Sequence, residues 1–424
     1  MFTPRPIAEE AFYISGKAAA DTSHAEVKMV RAESVLLTEG NSALREIISC
    51  LEAISTIRID GCNPDPKQLF ELKLVSTDIA GKGCEDALEV LRYKGALEWC
   101  AQNVQPGSDI TPATLLEIHS RCRYGVGRKE SGVSFRKSEF LKPTNEEYLH
   151  YAPSHPADIE SLVEDLCVFI NKEIYSPITQ AALAHFQFEG IKPFKSEMDR
   201  TGRAMCHAVF FRRGFMLGTI TPISLLPALY IKTHAQKLMP YDTGGNIDEN
   251  LARIQAMNQW ISFCAYSAKL AAQSVDLFGS MVEKLNRKWR EQTGRLSKGS
   301  VAEAMLSVIQ SNPVLTVASA IEITGYSFSA VNDALNRMVQ AGILSVSQEP
   351  GYKMRVFRAN DVLESMEKNL DKLMTQDPIP RNSFTYSDLS SCFFINCPHV
   401  EAEGKPKNSP SCEGSECPFR QKTR

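Results

Sequence analysis

Apolar residues recur at three- and four-residue spacing through nearly all of residues 1–290, and alternating β-branched runs are almost missing there. A chain patterned with a period near 3.6 buries its apolar side by packing helix on helix. The stretch "SVLLTEGNSALREIISCLEAIS" has this pattern with a break at Gly40, and "EDALEVLRYKGALEWCA" repeats it. Thr111-Pro112 opens a further helix, because proline suits the first helical position behind a threonine cap. Residues 123–156 are rich in Gly, Ser and Pro and read as a long loop with a short hairpin near Ser134–Leu141. Helices resume with "ADIESLVEDLCVFINKEI", "PITQAALAHFQFEGI", a segment beginning near Asp199, and "NLARIQAMNQWISFCAYSAKLAAQSVDLF". The expected fold class is therefore mainly α.

At 424 residues with 43% hydrophobic content, the chain has material for two to three globular domains. Its apolar runs stay short of the ~18 residues a bilayer span needs, and the N-terminus lacks a signal-peptide core, so the expected location is cytoplasmic, with no membrane partner. A net charge of -3 argues against a dominant nucleic-acid footprint, though not against a local basic patch. Eight of the twelve cysteines are scattered through the first 264 residues and read as small buried thiols.

The stretch at 185–203, "HFQFEGIKPFKSEMDRTGR", is the candidate site. A helix ends in a proline-containing loop, and the next helix begins with Arg200 and Arg203, which share one face. Two guanidiniums beside the free N–H groups of a helix start can hold a polyphosphate. They can equally pair with Glu197 and Asp199 nearby.

This segment resembles the core of the Fic (filamentation induced by cyclic AMP) family. The family signature reads His-Pro-Phe, any residue, Asp/Glu, Gly-Asn-Gly-Arg, two residues, Arg, after a helix ending in HxxFExI. The chain matches "HFQFEGI", Pro193, Phe194, Arg200 and Arg203 without a gap. "LLEIHSRC" is similar to the helix before the family's flap hairpin, and "SGVSFR" to the entry of that flap. The resemblance covers roughly residues 30–360. It implies a Fic-fold helical domain over 101–290 with a short β-hairpin flap, behind an N-terminal helical region over 1–100. It also implies transfer of AMP from ATP to a hydroxyl of a target protein. In that chemistry the family's histidine is the base, its Asp/Glu binds Mg²⁺, its Gly-Asn-Gly backbone cradles phosphates, and the arginines contact phosphate.

The departures fall on the chemistry. Lys192 stands at the histidine position, and a lysine with a reference pKa of ~10.4 is a poor base at neutral pH but a plausible phosphate contact. Ser196 replaces the metal-binding carboxylate, and a lone hydroxyl is a weak ligand for a hard dication. Glu197, Met198 and Asp199 replace Gly-Asn-Gly, which removes both glycines. The expectation is a nucleotide-binding or regulatory module, holding ATP through Lys192, Arg200 and Arg203, with weak or no transfer. The alternative is an active transferase using Glu197 or Asp199 as base. "TEGN" resembles the Glu-Gly of the family's N-terminal inhibitory helix, which favours Ser or Thr four residues before the glutamate; here that position is Val35. Glu39 is thereby the expected partner of Arg203.

After a polar linker, residues 298–360 carry helix, helix, turn, helix and then a hairpin, the order of a winged helix-turn-helix. Its third helix offers Asn332, Asn336 and Arg337, and its wing Arg355, as DNA contacts. A packing or homodimerisation module is the other reading. In the tail, 361–424, Cys392, Cys397, Cys412 and Cys417 form two pairs able to hold zinc, or else are four free thiols.

Overall fold

The computed structural model of the protein describes residues 4–74, 84–125, 133–139, 154–238, 249–348 and 355–375. The expected cysteine cluster, the last two residues of the expected hairpin and residues 349–354 lie outside the described residues. Mainly helical structure is what the periodicity dictated. α1 (Gly16–Leu37) is capped by Ser15, whose side chain accepts from Ala18 N. A turn at Gly40, with φ of 90°, reverses the chain into α2 (Ser42–Ile59). α3 (Pro66–Leu72) follows behind an Asp65 cap, then α4 (Glu85–Asn103) and α5 (Pro112–Tyr124). Thr111 caps α5 in a reciprocal box with Thr114, as the Thr-Pro pair foretold.

The centre of the domain is α7 (Pro177–Ile191), behind α6 (Ile159–Asn171). Every residue of α7 from Ile178 to Ile191 is buried, the mark of a helix enclosed on all sides. α8 (Met198–Arg212), the short α9 (Leu225–Leu229) and α10 (Ile231–Leu238) follow it. The 45-residue α11 (Glu249–Thr293) runs along α1 and against α7, where Trp260 Nε1 donates to the Ala182 carbonyl at 2.9 Å. Among the described residues no helix is long and apolar enough to cross a membrane.

The C-terminal part places α12 (Val301–Ser311), α13 (Val317–Thr324) and α14 (Phe328–Gln340) where the sequence puts its three helices. Thr316 and Ser327 cap the second and third, and Gly325 turns between them at φ of 70°. The sheet has three strands rather than two. β1 (Val314–Leu315), β2 (Ser345–Ser347) and β3 (Val356–Arg358) pair antiparallel in the order β1-β3-β2. Val314 faces Arg358, and Val346 faces Phe357. A two-residue strand carries too little periodicity to be read from sequence. α15 (Asn360–Thr375) closes the described chain.

The expected hairpin is absent over its described part, residues 134–139. Residues 133–139 form no strand, and the segment attaches to the motif loop by one backbone bond, Arg136 N to Pro193 O at 2.9 Å.

Candidate functional site

The site is the loop between α7 and α8 with the helix starts around it. α7 ends at Lys192 in left-handed backbone (φ 49°), and α8 is entered through Glu197 in the same conformation (φ 47°). Among the described residues these are the two non-glycine positions with positive φ, and both lie in the motif. Glycine takes this backbone freely, whereas a residue with Cβ pays about 1 kcal/mol or more. Glu197 thus keeps the backbone shape that a glycine would supply at the family position. At Lys192 the left-handed turn is held from outside. Arg136 is buried, and its guanidinium collects the carbonyls of Lys192 at 2.6 Å, Ser138 at 3.2 Å and Ser154, which ties the end of α7 to the 133–139 segment.

An open cleft of about 400 Å³ sits over this loop, lined by Asp60, Lys192, Lys195, Ser196, Glu197, Asp199 and Arg200. The sequence-expected groups Lys192 and Arg200 are therefore brought together. Arg203 lies one turn deeper, 3% exposed, and lines a second, mostly apolar cavity of about 50 Å³.

The arginines are not paired with Glu197 and Asp199. Arg203 Nη2 donates to Asp60 Oδ1 at 2.8 Å and to the Thr56 carbonyl at 3.4 Å. Arg200 donates through Nε to the other oxygen of Asp60 and through Nη1 to Glu89 Oε2. One carboxylate at the C-terminal end of α2 thus holds both motif arginines. Glu39, expected against Arg203, is exposed in the α1–α2 turn instead, and Asp60 has its place. The pairing holds the Arg203 guanidinium above its ordinary range despite the opposing cost of burial. Its Nε and Nη1 have no hydrogen-bond partner among the described residues.

Sequence reasoning missed Asp60, although a signal existed. Thr56 stands four residues before Asp60, and Gly61 follows it, so the spacing favoured for the family's inhibitory glutamate occurs here with aspartate. α2 is fixed beneath the site by another unexpected group, the fully buried Glu52. Its carboxylate accepts from Ser224 N at 2.8 Å and Ser224 Oγ at 2.6 Å, and it lies 3.3 Å from His207 Nε2.

The remaining charges set what the cleft can bind. Ser196 Oγ accepts from Arg123 Nη1 at 3.2 Å, so the family's metal position carries a hydroxyl beside a guanidinium. A dication there meets a like charge and one neutral ligand, which is a poor fit. Asp199 is pushed up to about 6, first by the negative charge of Glu189 and then by burial, with Arg203 and Lys192 acting against. Its side chain is itself open to solvent, so the neighbouring charge is the cause that matters. Glu189 lies 3.4 Å from His185. Burial opposes its ionisation, but His185, Lys192 and Arg203 outweigh that and hold its carboxyl below the usual range. His119 on α5 stacks on Phe194 at 3.7 Å between ring centres, with Nδ1 3.0 Å from Thr201 Oγ1. Burial, helped by the charge of Arg123, pushes it down to about 4, so it is neutral at physiological pH.

In the C-terminal part, the expected DNA-contacting residues meet one another. Arg355 Nη1 donates to Asn336 Oδ1 at 3.1 Å, and Nη2 donates to Asn332 Oδ1. Arg337 donates to the carbonyls of Thr293 at 3.2 Å and Arg295 at 3.3 Å.

A buried helix ending in a left-handed turn, a proline-phenylalanine loop and two arginines opening the next helix is the arrangement described above, and the model of the Fic/DOC family matches residues 109–210. Residues 109–210 are a Fic domain. Curated relatives of the chain include the protein adenylyltransferase Fic of Drosophila willistoni, 26% identical over 192 residues, which are 44% of this chain and 37% of the relative. That of Drosophila melanogaster is 28% identical over 141 residues, 32% of this chain and 27% of the relative. The chain thus matches roughly a third of the length of these relatives. A solved Fic family protein from Desulfovibrio desulfuricans is similar at a TM-score of 0.48 and 14% identity, over 85% of this chain and 98% of that one. A Fic domain containing signaling protein from Bacteroides thetaiotaomicron is similar at 0.45 and 16%, over 60% and 98%.

Proposed function

We propose that this Fic-domain chain is a nucleotide-binding regulatory protein whose AMP-transfer chemistry is weak or lost, and whose phosphate site is closed by Asp60. The observation that carries the reading is that Asp60 holds both Arg200 and Arg203 while a lysine, Lys192, stands where the family has its base. ATP fits the cleft in part. Lys192, Lys195 and Arg200 supply cations around a volume of about 400 Å³, and Arg203 becomes available to a terminal phosphate when Asp60 leaves. Magnesium does not fit at Ser196, so no step is routed through it.

Ordinary transfer needs a group that takes the target hydroxyl's proton. Lys192, which stands at the position of the family's base, is electrostatically coupled to the carboxylates of Glu189 and Asp199. A second reading, an active transferase with a rearranged base, is favoured by Asp199, because a carboxylate titrating at about 6 is suited to general-base work. For residues 298–360 we infer a winged helix-turn-helix acting chiefly as a packing module, since Arg337 and Arg355 are engaged internally. DNA contact remains the second reading there. Zinc at Cys392, Cys397, Cys412 and Cys417 is proposed from their spacing alone.

The test is transfer of the α-phosphate label of ATP to protein in cell lysate, with Mg²⁺ or Mn²⁺, by the wild type, Asp60→Ala, Asp199→Asn and Lys192→Ala. We expect little label from any of them. Strong labelling by Asp60→Ala that Asp199→Asn abolishes would establish the second reading instead.

A further inference from the structure

Asp60 sits at a corner of the chain that the C-terminal part of the molecule also holds. Gly61 N bonds back to Arg58 O at 3.0 Å and Cys62 N to Ile57 O at 3.3 Å, so the residue is built into the last turn of α2. Asn63 N is tied to Asp86 at 2.9 Å, and Asp65 caps α3 through Lys67 N at 2.8 Å. The corner is short and internally bonded, so a displacement of Asp60 large enough to admit phosphate is transmitted to α3.

Two charge links from the C-terminal part flank this corner. On its far side Arg358 of β3 donates through Nε at 3.1 Å and Nη2 at 3.0 Å to Glu71 Oε1 on α3. The same guanidinium is fixed in its sheet through Nη1 to Ser347 Oγ at 2.5 Å. On its near side Arg58, two residues before Asp60, feels the charge of the Asp371 carboxylate of α15. The backbones agree with the charges: α3 packs on β1 and α15, and α2 packs on α12, where Ser42 Oγ and Ser307 Oγ are 3.3 Å apart.

We propose that residues 301–375 regulate the nucleotide site by setting how firmly the α2–α3 corner presses Asp60 onto Arg200 and Arg203. The proposal rests on the reading of the cleft as a nucleotide site closed by Asp60. Phosphate and Asp60 compete for one pair of guanidiniums, and the corner carrying Asp60 has its second attachment at Arg358. A ligand that shifts the C-terminal part therefore changes nucleotide affinity, and nucleotide changes that ligand's affinity by the same factor.

The experiment measures affinity of the full chain for a fluorescent ATP analogue in five forms: wild type, Asp60→Ala, Glu71→Ala, Arg358→Ala, and Asp60→Ala with Glu71→Ala. Each form's fold is checked by its thermal transition. We expect Asp60→Ala to tighten binding. Glu71→Ala and Arg358→Ala should each tighten it by about two- to fivefold, the range open to a partly exposed ion pair. That gain should vanish when Asp60 is already alanine. Binding unchanged by Glu71→Ala and Arg358→Ala, while Asp60→Ala tightens it, overturns the coupling alone. Equal tightening by Glu71→Ala with and without Asp60 also overturns it, because the route then bypasses the carboxylate. An Asp60→Ala protein that binds no better than wild type overturns the reading of the cleft itself, and the coupling with it.

Discussion

Glu197 is held at φ of 47°, with Oε2 buried and without a hydrogen-bond partner among the described residues. Glu197→Gly removes the side chain that makes this backbone costly, at an N-cap position where glycine is tolerated. We expect it to raise the free energy of unfolding by up to about 1 kcal/mol in urea denaturation, after glycine's own entropic cost is subtracted. A loss of stability would mean that the carboxylate has a partner that outweighs the strain. Two titrating groups at the same loop act in opposite directions. His119 has a folded pKa of about 4, below its ordinary value of 6.5, so the stability it contributes is complete above pH 6.5 and is lost as pH falls towards 4. The shift corresponds to about 3 kcal/mol. In His119→Phe, which keeps a ring on Phe194, the fall in stability from pH 6.5 to 4 should shrink by that order. Asp199 is the reverse case. Its folded pKa of about 6 lies above its ordinary 3.8, so its contribution is complete below pH 3.8 and lost as pH rises through 6. Asp199→Asn should therefore raise the melting temperature at pH 7.5 and leave it unchanged near pH 3.5.

At the scale of elements, the contact between α7 and α8 positions the arginines. Gly202 allows it, because a Cβ there would stand 2.9 Å from His185 Nε2 and 3.0 Å from Glu189 Oε1. Those atoms belong to buried, mutually paired side chains that have little room to yield. Gly202→Ala should cost about 1–3 kcal/mol in chemical denaturation even though alanine is the better helix former. Unchanged stability would show that His185 repacks freely. The helices themselves were legible in the sequence, since burial along α7 and caps at Thr111, Thr316 and Ser327 are local properties of short windows. The partner of Arg203 was not. Among the described residues two turns carry an acidic residue before glycine, Glu39-Gly40 and Asp60-Gly61. Only the packing of α2 on α4, and of α4 on α8, shows which of them reaches a residue 143 positions later.

For the whole molecule, the sequence resolved a helical domain followed by a smaller helix-and-sheet unit, but gave no account of how the second bears on the first. That relation depends on side chains such as Glu71 and Arg358, which no local pattern singles out. The same holds for Arg355, whose candidate role in DNA contact is met in the structure by Asn332 and Asn336. A duplex has to outcompete that fork. We expect only weak binding that falls steeply with salt and is little altered by Arg355→Ala in a fluorescence titration. A tight complex that Arg355→Ala weakens by tenfold or more would make the C-terminal unit a DNA reader. The claim on which the functional account turns is that Asp60 occupies the site a nucleotide's phosphates would take. Calorimetric titration of ATP into the wild type, Asp60→Ala, and Asp60→Ala with Arg203→Ala tests it most directly. We expect weak binding by the wild type, binding at least tenfold tighter for Asp60→Ala, and loss of that gain when Arg203→Ala is added. Equal affinity for wild type and Asp60→Ala, or binding indifferent to Arg203, would contradict it.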